Sequence, residues 1–229
     1  MKLSSDGSLV SHSAGLGRCA VSGLCDPCHS NVKGVVKTLL DAGVGIGAFQ
    51  TEGYRGQLEI ALKPQPPIRA VDQLIVVHDT VKCFFARQGL MATMSPRPVK
   101  ALQQSAGQHT HVSIIPPNME GSFLAGCAPF SPIRKIKTGY WELRCMDATT
   151  NMYLALTAAL SAGIIGCLNE EPLLWPDTGL TVEHFPTSGT SLPESIGASL
   201  EQLGKTYHEF QDFMDTHISS VVQLCLLRY

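Results

Sequence analysis

The sequence lacks several features that would assign it to a large class of proteins. Its 229 residues carry a formal net charge of −2 and only 16% charged residues, so no basic excess favours a nucleic-acid partner or an anionic membrane surface. No apolar run approaches the ~20 residues of a membrane span. Residues 1–7 lack the apolar stretch of a secretory signal. We therefore expect a cytoplasmic globular protein that binds neither nucleic acid nor a membrane.

Cysteine is present but shows no disulfide framework. The eight cysteines are scattered, most of them in apolar surroundings, which favours reduced thiols. The exception is Cys25-Asp26-Pro27-Cys28-His29, which matches the Cys-x-x-Cys-His pattern of covalent haem attachment. No second Cys/His pair stands nearby at the ligand spacing of a zinc site. A small haem or metal protein stays open as one alternative.

Hydrophobic periodicity predicts an α+β fold in which an antiparallel sheet is backed by helices. Residues 1–30 are rich in Ser, Gly and Cys without a period, and we expect a loop or disordered leader there. The remaining residues, 31–229, are predicted to form one domain. Its predicted helices are 31–42, 68–87, 149–163, 194–203 and 207–226, and its predicted strands are 46–51, 57–62, 90–94, 109–115 and 140–145.

Three of the predicted strands place ionisable residues on one face or beside a turn. Carboxylates and imidazoles suit a hard divalent cation, and guanidinium groups suit phosphoryl oxygens. The same alternation is typical of the wet face of an exposed sheet, and sequence period does not show that these faces converge. The pairs are Glu52 with Glu59, His109 with His111, and Glu142 with Arg144.

Four motifs in these segments occur in the order found in glutamine synthetases. QTEGYRGQLE (50–59) resembles the family's Glu…Gly-Gln-x-Glu motif, and GQHTHVS (107–113) resembles its Gly-x-His-x-His-x-Ser strand. PIRKI (132–136) and YWELRCMDATTNMYLA (140–155) resemble its Ile-Arg and Glu-x-Arg…Asn-x-Tyr-Leu-Ala segments. Over roughly residues 31–205 the chain is similar to the carboxyl-terminal part of a glutamine synthetase catalytic domain, nearest the fungal glutamine synthetase-like proteins.

The resemblance implies two metal sites for Mg²⁺ or Mn²⁺. Glu52 and Glu59 match two carboxylate ligands of one ion. His109 and Glu142 match ligands of the second ion, which bridges the phosphates of the nucleotide.

The resemblance also implies roles in binding and catalysis. Arg134 matches an arginine that contacts the nucleotide's transferred phosphoryl group, and Arg144 matches one that holds the phosphorylated substrate. His111 and Ser113 match the strand that runs beside the nucleotide. Gly107 matches the loop near the amino-acid substrate.

The reaction implied is an ATP-dependent ligation. ATP phosphorylates the side-chain carboxylate of glutamate, or of a similar acid, to an acyl phosphate, and ammonia or an amine then displaces phosphate. Such phosphoryl transfer depends mostly on positioning and charge neutralisation, which the metals and arginines supply. Family members form homo-oligomeric rings with active sites between subunits.

Parts of the family pattern are missing from the sequence. No Glu-x-Glu occurs anywhere in the chain, although the family carries that strand upstream of its first motif. We expect the small amino-terminal domain of the family to be absent, and residues 121–132 look like the junction of a deletion. A truncated, catalytically impaired remnant that acts as a binding or regulatory protein is therefore the alternative to the ligase. Ring assembly is not expected without the amino-terminal domain.

Overall fold

The computed structural model describes residues 2–10, 27–52, 56–98, 106–113, 133–137, 140–170, 193 and 195–226. The helices are α1 (Pro27–Asp41), α2 (Pro67–Arg87), α3 (Met152–Leu168) and α4 (Ile196–Leu226). The strands are β1 (Lys2–Leu3), β2 (Leu9–Val10), β3 (Ile46–Thr51), β4 (Leu58–Leu62), β5 (Thr110–Ser113), β6 (Ile133–Lys137) and β7 (Tyr140–Leu143). The chain divides into two compact units, which are Met1–Thr110 with Arg144–Tyr153, and His111–Leu143 with Leu154–Tyr229.

The core of the first unit lies between α1 and α2. Helical spacing brings the buried face of α1 against Val77, Val81 and Phe85 of α2. Gly34 allows this close approach, since a Cβ there would lie 2.5 Å from the Phe84 ring. The buried residues of α1 are Val32, Val35, Val36 and Leu39.

Local signals set the ends of these two helices. Gly43 follows α1 with φ +80°, a left-handed conformation that glycine adopts without strain. Pro67 opens α2 at a position where the missing N–H costs nothing and the fixed φ favours the helix. Both ends agree with the sequence prediction.

The β3–β4 hairpin packs its apolar face on this core. Leu58, Ile60 and Leu62 alternate along β4, so all three side chains point to the same face and contact the α1–α2 cluster. The two strands are antiparallel, and the register shifts between Ile46 and Ala48. The opposite face of the hairpin carries Gln50 and Glu59 together with the small side chains of Ala48 and Ala61.

The second unit contains a three-stranded sheet with the order β5-β7-β6. Strand β7 lies in the middle and pairs antiparallel with β6. Its residues Trp141 and Glu142 are only 5% and 2% exposed. The centre of this sheet therefore holds a buried carboxylate.

The predicted α+β class with antiparallel sheets and helices is confirmed, although several boundaries differ. Helices predicted at 194–203 and 207–226 form the single helix α4, because Gly204 weakens a helix without ending it. Residues 90–94 form no strand, and α1 starts at Pro27 instead of Asn31. Within the predicted leader, β1 pairs antiparallel with β2. Of the helices described, none is both long enough and apolar enough to cross a bilayer.

Candidate active-site residues

The β3–β4 hairpin places Glu52 and Glu59 on the same face. Gln50 lies opposite Glu59 in the register, and the Glu52 N–H donates to the Gln57 carbonyl at 3.0 Å, which extends the ladder by one pair. Glu52 and Glu59 are thus diagonal neighbours, about 7–8 Å apart at the backbone. Their carboxylates lie opposite the apolar face that packs on the core.

Glu59 has a neutral hydrogen-bond partner on that face. Gln50 Nε2 donates to Glu59 Oε2 at 2.8 Å, straight across the hairpin. Gln50, Glu59, Ala48 and Ala61 also line a shallow pocket of about 60 Å³. The alanines keep this part of the face open.

In the second unit, a histidine of β5 lies beside the buried carboxylate of β7. His111 Nε2 is 3.9 Å from Glu142 Oε1, and the His111 ring lies 5.3 Å from the Tyr140 ring, centroid to centroid. The His111 side chain is 43% exposed whereas that of Glu142 is 3% exposed. The structure therefore joins a residue predicted beside the nucleotide to one predicted as a metal ligand.

The other predicted residues of this sheet occupy defined strand positions. The register sets Arg134 of β6 directly opposite Glu142 of β7, so the two positions share one face of the sheet. Ser113 ends β5 and is exposed. His111 and Ser113 are two residues apart in β5 and share a face.

In the first unit, Gly107 and His109 precede β5. A Cβ on Gly107 would lie 3.2 Å from His109 Nε2, so the absence of a side chain lets the imidazole lie over the backbone. The Gln108 N–H points to the Met146 carbonyl at 3.4 Å, and Thr110 Oγ1 lies 3.8 Å from Met146 Sδ. His109 itself is exposed.

Arg144 lies just after β7, half-buried, at the start of a turn that leads into α3. Asp147 shapes this turn, since its Oδ1 accepts from the Thr149 N–H at 2.7 Å. Asn151 caps α3, since its Oδ1 accepts from the Tyr153 N–H at 3.1 Å. The strand predicted to include Arg144 stops one residue earlier.

The beginning of α3 is also tied to α2. The Tyr153 hydroxyl donates to the Asp72 carboxylate, and this hydrogen bond is the main cause that raises the pKa of Tyr153 above its ordinary value. Asp72 and Tyr153 are 81 residues apart in the sequence. The contact fixes the carboxyl-terminal end of the Arg144 turn.

The donor groups suit a hard cation, although they come in pairs. Among the residues that the structure describes, no three His, Cys, Asp or Glu side chains cluster in a way that could hold a metal ion. A magnesium ion commonly takes one or two carboxylates and completes its shell with water and phosphate oxygens. The pair Glu52 and Glu59 fits that requirement by chemistry and by shared face.

The alternative centre at Cys25, Cys28 and His29 is described only in part. Cys25 lies outside the described residues. His29 lies in α1 with its ring 6.4 Å from the Phe49 ring. The prediction of a haem or metal site there stays untested.

A family model decides the identity of the fold. The model for the glutamine synthetase catalytic domain matches residues 25–128 and 131–221. The chain belongs to the glutamine synthetase family. The resemblance drawn from the four motifs is thereby confirmed.

Individual relatives agree with this family. Protein fluG of Emericella nidulans is 32% identical over 203 residues, covering 72% of this chain and 22% of the relative. A glutamate–isopropylamine ligase of a Pseudomonas species is 34% identical over 86 residues, covering 37% of this chain and 18% of the relative. The chain thus spans about a fifth of the length of these relatives.

Solved structures named GmaS share the fold. The form without ligand matches with a TM-score of 0.69 at 19% identity, over 88% of this chain and 58% of its own. The ADP complex matches with a TM-score of 0.73 at 19% identity, over 89% of this chain and 61% of its own. At this identity the likeness establishes architecture.

Two contacts at the site escaped the sequence prediction. The sequence pattern places Gln50 in the predicted strand 46–51 and Asp72 in the predicted helix 68–87, and it assigns neither residue a role. The period-2 pattern puts Gln50 and Glu59 in neighbouring strands, but it does not give the register that makes them direct partners. No local pattern signals a contact between Asp72 and Tyr153.

Proposed function

We propose that this chain is an ATP-dependent ligase that joins ammonia or an amine to glutamate, or to a similar acid, through an acyl phosphate. Membership of the glutamine synthetase family supports the kind of reaction. The observation that carries the proposal is the shared hairpin face of Glu52 and Glu59, which pairs two motif carboxylates. Burial of the motif carboxylate Glu142 beside His111 supports it independently.

The proposed cofactors are ATP and Mg²⁺ or Mn²⁺. Glu52 and Glu59 would hold one ion, and His109 with Glu142 would hold the other. Bound in this way, the ions neutralise phosphate charge and orient the transferred group. His111 and Ser113 are assigned to the nucleotide.

Two arginines and a glycine complete the proposed site. Arg134 stabilises the charge on the phosphoryl group during transfer, and Arg144 holds the acyl phosphate. Guanidinium groups suit both tasks, because their donors match phosphate oxygens two at a time. Gly107 leaves room for the amino-acid substrate next to His109. The acceptor is ammonia or a small amine, and we place the reaction in the cytoplasm.

A second candidate function is a binding or regulatory protein that has lost turnover. It is favoured by the absence of Glu-x-Glu and by the interruption of the family match at residues 129–130. The alignment with protein fluG is 203 positions long, but it covers only 72% of this 229-residue chain. Protein fluG therefore carries additional residues within the aligned region. In the family, residues missing at that point would include a loop that keeps water from the acyl phosphate.

One assay separates the two candidates. The protein is incubated with ATP, glutamate and hydroxylamine in Mg²⁺ or Mn²⁺, and ADP and γ-glutamyl hydroxamate are measured. The ligase proposal predicts both products, lost by at least about 100-fold in Glu59→Gln and Glu142→Gln. The control Glu201→Gln removes an exposed carboxylate on α4 and should leave the rate unchanged.

Saturable ATP binding without either product, from folded protein, would overturn the ligase proposal in favour of the binding protein. Activity that survives in both variants would show that these carboxylates are not the ligands.

A further inference from the structure

The turn at residues 144–151 connects two parts of the proposed site within the first compact unit. It begins with the half-buried Arg144, and two residues later Met146 touches the segment that leads into β5. The Gln108 N–H donates to the Met146 carbonyl at 3.4 Å, and Thr110 Oγ1 lies 3.8 Å from Met146 Sδ. The residue before Gln108 is the glycine proposed to lie near the amino-acid substrate. The position of the turn therefore decides how Arg144 lies relative to the predicted substrate loop.

Asp147 makes this turn a stiff piece of chain. Its Oδ1 accepts from the Thr149 N–H at 2.7 Å and also from the Thr149 hydroxyl. Its carbonyl accepts from the Thr150 N–H at 3.2 Å. A side chain that bonds the backbone two residues on fixes the local dihedral angles. A displacement at one end of the turn is therefore passed on to the other end.

The contacts of Met146 hold the turn only loosely. Backbone N–H···O bonds in proteins are typically about 2.9–3.0 Å long, and a thioether sulfur is a weak acceptor. Both contacts of Met146 are longer than that, at 3.4 and 3.8 Å. The Met146 side chain is also buried, yet an unbranched thioether adapts to small shifts of its backbone. The position of the turn thus depends on its far end.

At the far end of the turn, the start of α3 is tied to α2 by a hydrogen bond between side chains. The Tyr153 hydroxyl donates to the Asp72 carboxylate, and an ionised acceptor makes such a bond stronger than a neutral one. The same bond is the main cause that raises the pKa of Tyr153, so the hydroxyl stays a donor at neutral pH. Asn151 Oδ1 accepts from the backbone N–H of this tyrosine at 3.1 Å. The anchored residue is therefore joined directly to the last residue of the turn.

The anchor lies at the surface of the protein. Tyr153 is 41% exposed, and Asp72 is exposed as well. A hydrogen bond whose partners also reach water adds little to the net free energy of unfolding. The effect of this bond on the turn can therefore be measured apart from its effect on folding.

We propose that Asp72 and Tyr153 are positioning residues for the ligase reaction, because their hydrogen bond anchors the turn that places Arg144 beside the predicted substrate loop. The inference rests on the proposed function for the role of Arg144, whereas the anchoring itself does not depend on turnover. Loss of the bond weakens glutamate binding and leaves ATP binding nearly unchanged, since the residues assigned to the nucleotide lie outside this turn.

The kinetic test uses the hydroxamate assay. Tyr153→Phe deletes only the hydroxyl and should raise the KM for glutamate about 10-fold, with the KM for ATP changed by less than about twofold. Asp72→Ala should do the same, and Asp72→Asn, which keeps an acceptor, should recover most of the loss. The double variant Tyr153→Phe with Asp72→Ala should be no worse than either single variant. The control Tyr207→Phe removes a hydroxyl from an exposed tyrosine of α4 and should change neither KM.

Hydrogen exchange followed by mass spectrometry tests the anchor without turnover. In Tyr153→Phe, residues 144–151 should exchange at least about threefold faster, because an unanchored turn opens more often. The exchange of α1 should stay as in the wild type. A melting temperature within about 2 °C of the wild type would agree with a local effect.

Three results would overturn the proposal. They are unchanged exchange at residues 144–151 in Tyr153→Phe, exchange that quickens equally in α1, and a rise in both KM values that Asp72→Asn does not recover. Faster exchange confined to the turn, in a protein that forms no hydroxamate, would support the anchor and contradict the ligase function instead.

Discussion

Two carboxylates assigned to the site are held in contrasting ways. Glu59 is exposed on a hairpin face and shares a hydrogen bond with the neutral Gln50. Glu142 is 2% exposed in the middle strand of a sheet, beside a histidine. A carboxylate in water can rearrange around a ligand at little cost, whereas a buried one depends on the partners built around it. In the proposed site, the hairpin would thus offer an adjustable ligand and the sheet a fixed one.

The largest expected effect comes from disrupting the α1–α2 core on which the β3–β4 hairpin packs. Leu39 of α1 is fully buried in the α1–α2 core, and its neighbour Leu40 is 52% exposed. Leu39→Ala should lower the free energy of unfolding by about 2–5 kcal/mol, because it leaves a cavity. Leu40→Ala should change it by less than about 0.5 kcal/mol. Equal losses in urea unfolding would mean that the core is not where the structure puts it.

The proposed role of Glu59 as a metal ligand can be tested by changing its neighbour Gln50. Gln50→Ala removes the amide that orients Glu59, and partners of this kind are worth about 10–100-fold in metal affinity. We expect weaker Mn²⁺ binding by calorimetry, with unfolding unchanged. The matched control is Gln88→Ala, an exposed glutamine at the end of α2. Unchanged affinity in Gln50→Ala would remove the positioning role of Gln50.

The turn that follows β7, the strand that carries Glu142, leads to the amino-terminal cap of α3. Asn151→Ala deletes the acceptor for the Tyr153 N–H and should cost about 1 kcal/mol of stability. Asn151→Asp keeps an acceptor at the same place and should cost far less. If both variants are equally unstable in thermal unfolding, the loss is not one of capping.

The smallest expected effect is a pH dependence of folding stability that comes from α2, one of the two helices on which the hairpin packs. Burial, and then the positive charge of Lys82, lower the pKa of His78 on α2, while Asp79 acts in the opposite direction. The neutral imidazole of His78 is therefore favoured on folding. Its contribution to the free energy of unfolding is fully present above about pH 6.5 and is lost as the pH falls below that value. His78→Gln should flatten the stability curve between pH 7 and 5. An unchanged slope would assign the acid sensitivity to other groups.

The parts of the molecule that follow local rules were predictable from sequence. Helix α2 and strands β3 and β4 appear close to their predicted bounds, because period, proline and glycine determine them locally. The family motifs also name the residues of the proposed site, whose roles stay a prediction. The hydrophobic periodicity of the sequence does not determine which strands become neighbours.

Two contacts that the sequence did not predict share one physical origin, which is the packing of elements distant in the sequence. The approach of His111 to Glu142 depends on β5 lying next to β7, and the bond between Asp72 and Tyr153 depends on how α3 begins against α2. The continuity of α4 through Gly204 was missed because one glycine costs only about 1 kcal/mol, less than a long helix can tolerate.

The most direct test of the two-site account is a titration with Mn²⁺ followed by electron paramagnetic resonance, in the presence of ADP. The account predicts two bound ions per chain. Glu59→Gln should remove the ion of the hairpin and Glu142→Gln the ion of the sheet, so each variant keeps one. Two ions retained in both variants, or none bound by the wild type, would contradict the assignment of these carboxylates.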